Sequence, residues 1–340
     1  MKRNLQEIFT RFAENECQNS SKLYEILAQA IATDKELLAV ASQIPYEQPA
    51  PQLFFASINY LLKDSTDILR QYYPNYTASP LPAEEAFVPF KAFVKKNHLQ
   101  LAFLFATKLV QTNEVRRCAY LYPMLCEIFQ THQQPLALIE IGASAGLQLG
   151  IDHYQFAYGD ETVGNESSEL TLTSDNRGDS LPESIHLSMQ VATRIGMDLR
   201  TLNVQEEEDL LWLEALIWPE HEERRQLLKK AASITRELPI QLVDGDATKK
   251  LLRIAKNVPQ NEMLVIFHTY VANQFTEEAK MNLMRSLIEI SKCRPVYHIY
   301  NHLYDQQLHQ DFLDSDHIEE VRRLEQTDGH AHWFEWKNAF

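Results

Sequence analysis

The stretch that most constrains this chain is Leu136-Ala137-Leu138-Ile139-Glu140-Ile141, followed by Gly142-Ala143-Ser144-Ala145-Gly146 and Leu147-Gln148-Leu149. The first six residues are apolar except for Glu140, which suits a short strand buried on both faces. The glycines after it allow a tight bend and a close approach of backbone to ligand. A helix starting after the bend would present unpaired N–H groups. Strand, glycine turn and helix in this order put the loop at the carboxyl edge of an α/β sheet, where open sheets bind ligands.

Other strand-like runs recur downstream: Ile185–Val191, Pro239–Val243, Met263–His268 and Pro295–Tyr300, with an amphipathic helix at Pro219–Glu237. Strands alternating with helices predict an α/β fold with a mostly parallel sheet and right-handed crossovers. Glu319–Leu324 and His332–Trp336 flank Gln326-Thr327-Asp328-Gly329, and the Asp-Gly pair predicts a hairpin closing an antiparallel edge. The turn-rich piece at about 154–178 has β-like flanks at Tyr154–Tyr158 and Glu169–Thr173, which predicts an inserted hairpin.

The first 133 residues read as helical. Leu5, Ile8, Phe9 and Phe12 repeat at helical spacing, as do Leu23, Ile26, Leu27, Ala30 and Ile31. Further helices are predicted at Glu84–Lys96, Leu99–Val110 and Glu114–Thr131. Thr112 and Asn113 would cap the last of these, and Pro123 would kink it. The expected organisation is an all-helical N-terminal domain over residues 1–133 and an α/β domain over 134–340.

Composition narrows the class. With 45% hydrophobic and 23% charged residues in 340, the chain can bury a large core. A formal net charge of −15 repels phosphates and disfavours nucleic acid as a partner. Cys17, Cys118, Cys126 and Cys293 form no CxxC pair and read as reduced thiols. The N-terminus has no secretory leader pattern, and the apolar piece Leu99–Val110 is too short to span a membrane and carries Lys108. A cytoplasmic protein that makes no membrane contact is expected.

The loop admits two chemical readings. Glu140-x-Gly142-x-x-x-Gly146 resembles the first motif of S-adenosylmethionine-dependent methyltransferases, with Ser144 in place of the middle glycine. Gly142-x-Ser144-x-Gly146 also matches the nucleophile elbow of α/β-hydrolases. In that case Asp244 or Asp246, then His298, His302 or His330, would complete a serine triad. Glu140 favours the cofactor reading, because an elbow has no need of it. A tight turn without a ligand is the third option.

Downstream residues extend the cofactor reading. Asp246-Ala247 follows a strand, where methyltransferase-like domains place a carboxylate against the adenine; an ordinary Asp-Gly turn is the alternative. His268-Thr269 ends the next strand, on the substrate side, where a histidine would serve as general base. His330-x-His332 and the pair His298 and His302 lack a recognisable zinc spacing, so no metal site is expected.

With these residues in hand, the chain resembles the bacterial domain-of-unknown-function family 2332. The resemblance runs from about residue 5 to 336. It is carried by Gln111-Thr112-Asn113-Glu114, Arg117-Cys118-Ala119, the loop at 140–147, Asp152-His153-Tyr154, Arg194–Leu199, Trp218-Pro219-Glu220, Gly245-Asp246-Ala247 and Phe267-His268-Thr269. Gln148 stands where the family pattern has Asn, and His153 where it has Arg. The resemblance implies a Rossmann-like methyltransferase fold, a seven-stranded sheet with a terminal antiparallel strand, behind a helical domain. It implies no particular reaction.

The expected site therefore has S-adenosylmethionine held by Glu140, Gly142, Ala143, Ser144, Gly146, Asp198, Asp246 and Ala247. His268 and Thr269 would line the transfer site. Asn113, Arg117, Asp152 and Tyr154 would contact a small-molecule substrate, with Arg117 reading a carboxylate or other polar group. A serine hydrolase at Ser144, and a non-catalytic binding or regulatory protein, remain the alternatives.

Overall fold

Helices in the first third of the chain form where apolar stripes and caps coincide. The computed structural model describes residues 3–111, 114–315 and 317–338. The helices here are α1 (Leu5–Phe12), α2 (Lys22–Thr33), α3 (Lys35–Ala41), α4 (Ala50–Leu62), α5 (Phe87–Lys96) and α6 (His98–Thr107). Asn4, Ser21 and Asp34 cap the first three through side-chain oxygens. Phe9, Phe54, Phe55, Phe90 and Phe105 are buried against one another, with Phe54 and Phe105 stacked at 5.8 Å.

The chain forms two compact units, Met1–Thr112 with Glu206–Gln226, and Asn113–Gln205 with Leu227–Phe340. Residues 206–226 are thus grouped with the first helices, which the linear reading at 133 does not anticipate. Glu220 explains part of this: its carboxylate accepts from Ser21 Oγ at 2.7 Å and from the Leu23 N–H at 3.0 Å. Trp218 packs on Phe12 and Tyr24, and α8 (Glu207–Ala215) carries Trp212 against Tyr60.

The second unit begins with α7 (Cys118–His132). Pro123 lies inside that helix and cannot donate to Ala119 O. Tyr158 OH donates to that oxygen instead, at 2.6 Å. The expected cap at Thr112 and Asn113 lies outside the described residues.

The sheet contains β1 (Leu136–Ile141), β2 (Val191–Asp198), β3 (Gln241–Asp244), β4 (Met263–His268), β5 (Val296–Tyr300), β6 (Leu308–Asp314) and β7 (His317–Leu324). Its order is β3-β2-β1-β4-β5-β6-β7. The first five strands are parallel to their neighbours; β6 runs antiparallel to both β5 and β7. The fold is therefore α/β with a mostly parallel, mixed seven-stranded sheet. The reversed strand is second from the edge rather than terminal. Crossovers use α9 (Glu222–Thr235), α10 (Ala247–Ala255) and α11 (Glu277–Ser291). Ala137, Ile139, Leu264, Ile266 and Val296 pack with Leu251, Ile254, Leu283 and Leu287 from α10 and α11 to make the core of one face.

Three strand expectations need correction. Ile185–Val191 is not a strand: residues 183–186 form a 3-10 turn and pairing starts at Val191. The closing hairpin is β6 with β7, not Glu319–Leu324 with His332–Trp336. Trp333–Phe334 pairs in parallel with Asp175–Asn176 instead. The inserted hairpin joins residues 155–158 to 161–164, and 171–173 adds to it in parallel. Strand β6 reads as loop in the sequence because His309 and Asp311 interrupt it. The fold satisfies both, through Glu320 on β7 and Tyr300 on β5.

Among the described residues no helix is long and apolar enough to cross a membrane.

Candidate functional site at the carboxyl edge of the sheet

The glycine loop is bent by left-handed residues and fastened to β2. Gly142 has φ +76°, Ser144 +51° and Gly146 +69°. The N–H groups of Gly142 and Ala143 both donate to Met197 O, at 2.8 and 3.1 Å. Ser144 N–H donates to Asp198 Oδ2 at 2.8 Å, and Gly146 N–H to Ala143 O at 2.7 Å. A phosphate cradle needs such N–H groups free and pointing at an anion. Here four are taken, one of them by a carboxylate. The following segment, Leu147–His153, is a 3-10 turn rather than the expected α-helix. Those four N–H groups are not available to a phosphate.

Its position is set by topology. After β1 the chain moves to β2 and β3 on one side, then returns to β4 on the other, so the order reverses between β1 and β4. The crevice outside the strand ends at such a point is where open α/β sheets bind ligands. The loops after β1 and β4 touch there: a Cβ on Gly142 would meet Val271 Cγ2 at 2.7 Å.

Beneath the loop lies Glu140, 5% exposed. Among the described residues its Oε2 has no hydrogen-bond partner. Burial drives its pKa well above the usual carboxyl value, the Asp198 charge adds to the rise, and Arg117 opposes it. The unfolded chain releases this proton near 4.5 while the folded chain keeps it. Stability contributed by the neutral carboxyl is therefore full below that value and is lost as pH rises towards the folded pKa. Glu140→Gln is expected to match the wild type in urea melts at pH 4.5 and to exceed it at pH 8 to 9. Parallel pH profiles for the two proteins would contradict this assignment.

The other expected cofactor residues divide. Asp198 is half-buried at the end of β2 and reaches the loop as described. Leu199 beside it is 72% exposed. Ala143 is buried in the loop, while Ala247 opens α10. Asp246 caps α10: its Oδ1 accepts from Thr248 N at 3.0 Å and Thr248 Oγ1 at 2.7 Å, and Lys249 pairs with Oδ2 at 3.1 Å. Asp244 accepts from the Thr201 N–H and hydroxyl, both at 2.7 Å.

Of the expected substrate and transfer residues, Arg117, Tyr154 and His268 are buried. Asp152 is held by Arg194 in a paired contact, 2.8 Å on each side, and Tyr154 is fully buried with its hydroxyl on Leu147 O. Arg117 is 6% exposed; it donates to Gly329 O at 3.1 Å and lies 4.1 Å over the Tyr270 ring. It is a strut, not an open carboxylate receptor. Asn113 lies outside the described residues. Thr269 is half-buried at the end of β4. His268 is fully buried with Nε2 3.2 Å from His298 Nε2, and burial, with His302 adding, lowers its pKa to about 3. A ring so hard to protonate is a poor general base near neutrality.

The serine elbow gains one feature and lacks another. The left-handed Ser144 is the strained conformation such a turn needs. Its residue is 2% exposed, however, and the candidate histidines have other neighbours. His298 faces His268, His302 packs on Tyr270 at 4.6 Å, and His330 pairs with Glu114 at 3.1 Å.

Residues that the sequence reading did not single out as a group form a cleft of about 300 Å³, lined by Tyr270, His302, Gln306, Glu325, Gln326, Thr327 and Trp333. Tyr270 (φ +58°) and His302 (φ +60°) are left-handed residues just beyond β4 and β5. The Tyr270 N–H is held by Asn301 Oδ1 at 2.7 Å. Left-handed backbone at non-glycine residues collects at functional sites, and no sequence pattern announces it.

A family model described as an uncharacterized protein conserved in bacteria (DUF2332) matches residues 6–336. No curated protein and no solved structure matches the chain.

Proposed function

The chain belongs to the DUF2332 family of proteins conserved in bacteria, and from that premise we infer an S-adenosylmethionine-binding methyltransferase that acts on a small molecule. One observation carries the reading: a buried carboxyl, Glu140, with an orphaned oxygen beneath a glycine loop at the reversal of strand order. A buried carboxyl oxygen without a hydrogen-bond partner costs free energy until a donor reaches it. An amino group on a ligand would be that donor, and its charge would favour the ionised acid.

Two observations at the loop support this ligand over a dinucleotide. The loop N–H groups are occupied, and Asp198 places negative charge where a phosphate would sit. The order β3-β2-β1-β4-β5 is shared with dinucleotide-binding doubly wound sheets, so it supports a ligand crevice at this point without choosing between the two ligands. Asp198 at the end of β2 suits ribose hydroxyls, and exposed Leu199 offers an apolar face to the base. When bound, the cofactor would supply an electrophilic methyl group. The residues of the chain would orient it, hold its amino end at Glu140 and keep water out; such a displacement depends on positioning more than on a protein nucleophile. Asp246, already the cap of α10, has at most its exposed Oδ2 for the adenine.

Asp198→Asn keeps an acceptor for Ser144 N–H but loses the charged acceptor for the ribose. It should weaken S-adenosylhomocysteine by roughly tenfold, about the size of one charge-assisted hydrogen bond. Unchanged affinity in calorimetry would remove Asp198 from the site.

A further inference from the structure

The cleft beside Tyr270 and His302 adjoins the crevice at Glu140, since Val271, next to Tyr270, packs against Gly142, and its lining has its own chemistry. Three rings, Tyr270, His302 and Trp333, supply flat apolar surface. Gln306, Gln326, Thr327 and Glu325 supply hydrogen-bonding groups, and Glu325 is the only charged side chain among the seven. Burial, and then the charge of Arg117, lower the pKa of His302. Among the described residues its Nε2 has no hydrogen-bond partner. The wall is firm, because Arg117 lies 4.1 Å from the Tyr270 ring centre and Asn301 holds the Tyr270 N–H. The volume is at the lower end of the range for small-molecule sites, roughly 300–1,000 Å³.

We propose that this cleft binds a planar, amino-bearing nitrogen heterocycle, neutral or cationic, as the acceptor molecule. Flat rings favour a flat ligand through offset or edge contacts. Glutamine amides offer a donor and an acceptor side by side, the pattern that pairs with a ring nitrogen and its neighbouring amino group. A carboxylate accepts from an amino group and repels an anion. The chain's net charge of −15 disfavours anions at longer range as well. Arg117, expected from the sequence to read a carboxylate, is committed to Gly329 O and Tyr270, and Arg177, which lies 4.5 Å over the Trp333 ring, is paired with Asp175 at 4.0 Å. The proposal names the substrate class of the proposed methyltransferase, yet the binding step is independent of the cofactor.

The test is calorimetry on the full chain without cofactor, using adenine and 2-aminopyridine against the planar anion benzoate. The heterocycles should bind with sub-millimolar dissociation constants and benzoate at least tenfold more weakly. Glu325 is exposed, so Glu325→Gln should fold normally, weaken the heterocycles about fivefold to tenfold and narrow the gap to benzoate. Trp333→Phe should retain part of the affinity and Trp333→Leu lose most of it. No heat with either heterocycle at 5 mM, equal binding of benzoate, or indifference to Glu325→Gln would overturn the proposal. Tighter binding of a single-stranded oligonucleotide than of free adenine would overturn it too, by making the ligand a nucleic acid. Heterocycle binding with no response to S-adenosylmethionine would refute the cofactor assignment alone.

Discussion

Gly142→Ala is expected to destabilise the protein by about 2–5 kcal/mol. Two costs add. A left-handed backbone at an alanine costs about 1–2 kcal/mol, and Gly142 has φ +76°. Overfilling a packed site costs about 1–3 kcal/mol, and the new Cβ would lie 2.7 Å from Val271 Cγ2. Val271→Ala in the same chain should return part of the packing share, because Val271 Cβ itself would remain 2.9 Å from the new Cβ, and leave the backbone share. Urea melts of the two single variants and the double variant separate the terms. A Gly142→Ala variant within 0.5 kcal/mol of wild type would contradict the close contact between the loops after β1 and β4.

Asp152→Ala should cost about as much, for an electrostatic reason. Arg194 is 5% exposed and Asp152 about 10%, and their two contacts at 2.8 Å fix the 3-10 turn after the glycine loop to β2. Removing the carboxylate leaves a buried guanidinium whose remaining hydrogen bonds go to Leu149 O, Val191 O and, at 3.5 Å, His153 Nε2. Breaking a buried pair on one side costs about 3–5 kcal/mol. Replacing both members by apolar residues, as in Asp152→Ala with Arg194→Met, should recover much of that. A single variant losing less than 1 kcal/mol would mean the pair is solvated in solution.

The parts of this fold that were legible in the sequence are those governed by local pattern. The apolar run at β1, the glycines after it and the strand at Met263–His268 can be read directly, because burial on both faces leaves few polar residues to confuse the period. Strand β6 could not be read, since Glu320 and Tyr300 on neighbouring strands are needed to satisfy its His309 and Asp311 side chains. The grouping of 206–226 with the first helices rests on Glu220 meeting Ser21 and Leu23, a pairing that no local signal encodes.

The site divides along the same line. Glu140 and Asp198 stand out as acids at strand ends. The cleft does not, because it depends on left-handed conformations at Tyr270 and His302 and on a loop from the far end of the chain. Asp152, Tyr154 and Arg117 have the chemistry of binding residues, and their burial turns them to structural use. From sequence alone, a paired arginine and a substrate-reading arginine look the same.

In the proposed site the loop at 142–146 and Glu140 hold the amino end of S-adenosylmethionine. The most direct measurement is a calorimetric titration of S-adenosylhomocysteine into the wild type and Glu140→Gln at pH 8. The predicted result is a saturable single-site isotherm for the wild type. Proton release should accompany binding as the Glu140 carboxyl ionises against the ligand's ammonium group, seen as a dependence of the heat on buffer ionisation enthalpy. Glu140→Gln should bind at least tenfold more weakly and without that dependence. No heat and no thermal stabilisation of the wild type at millimolar ligand, or equal binding by the two proteins, would contradict the account.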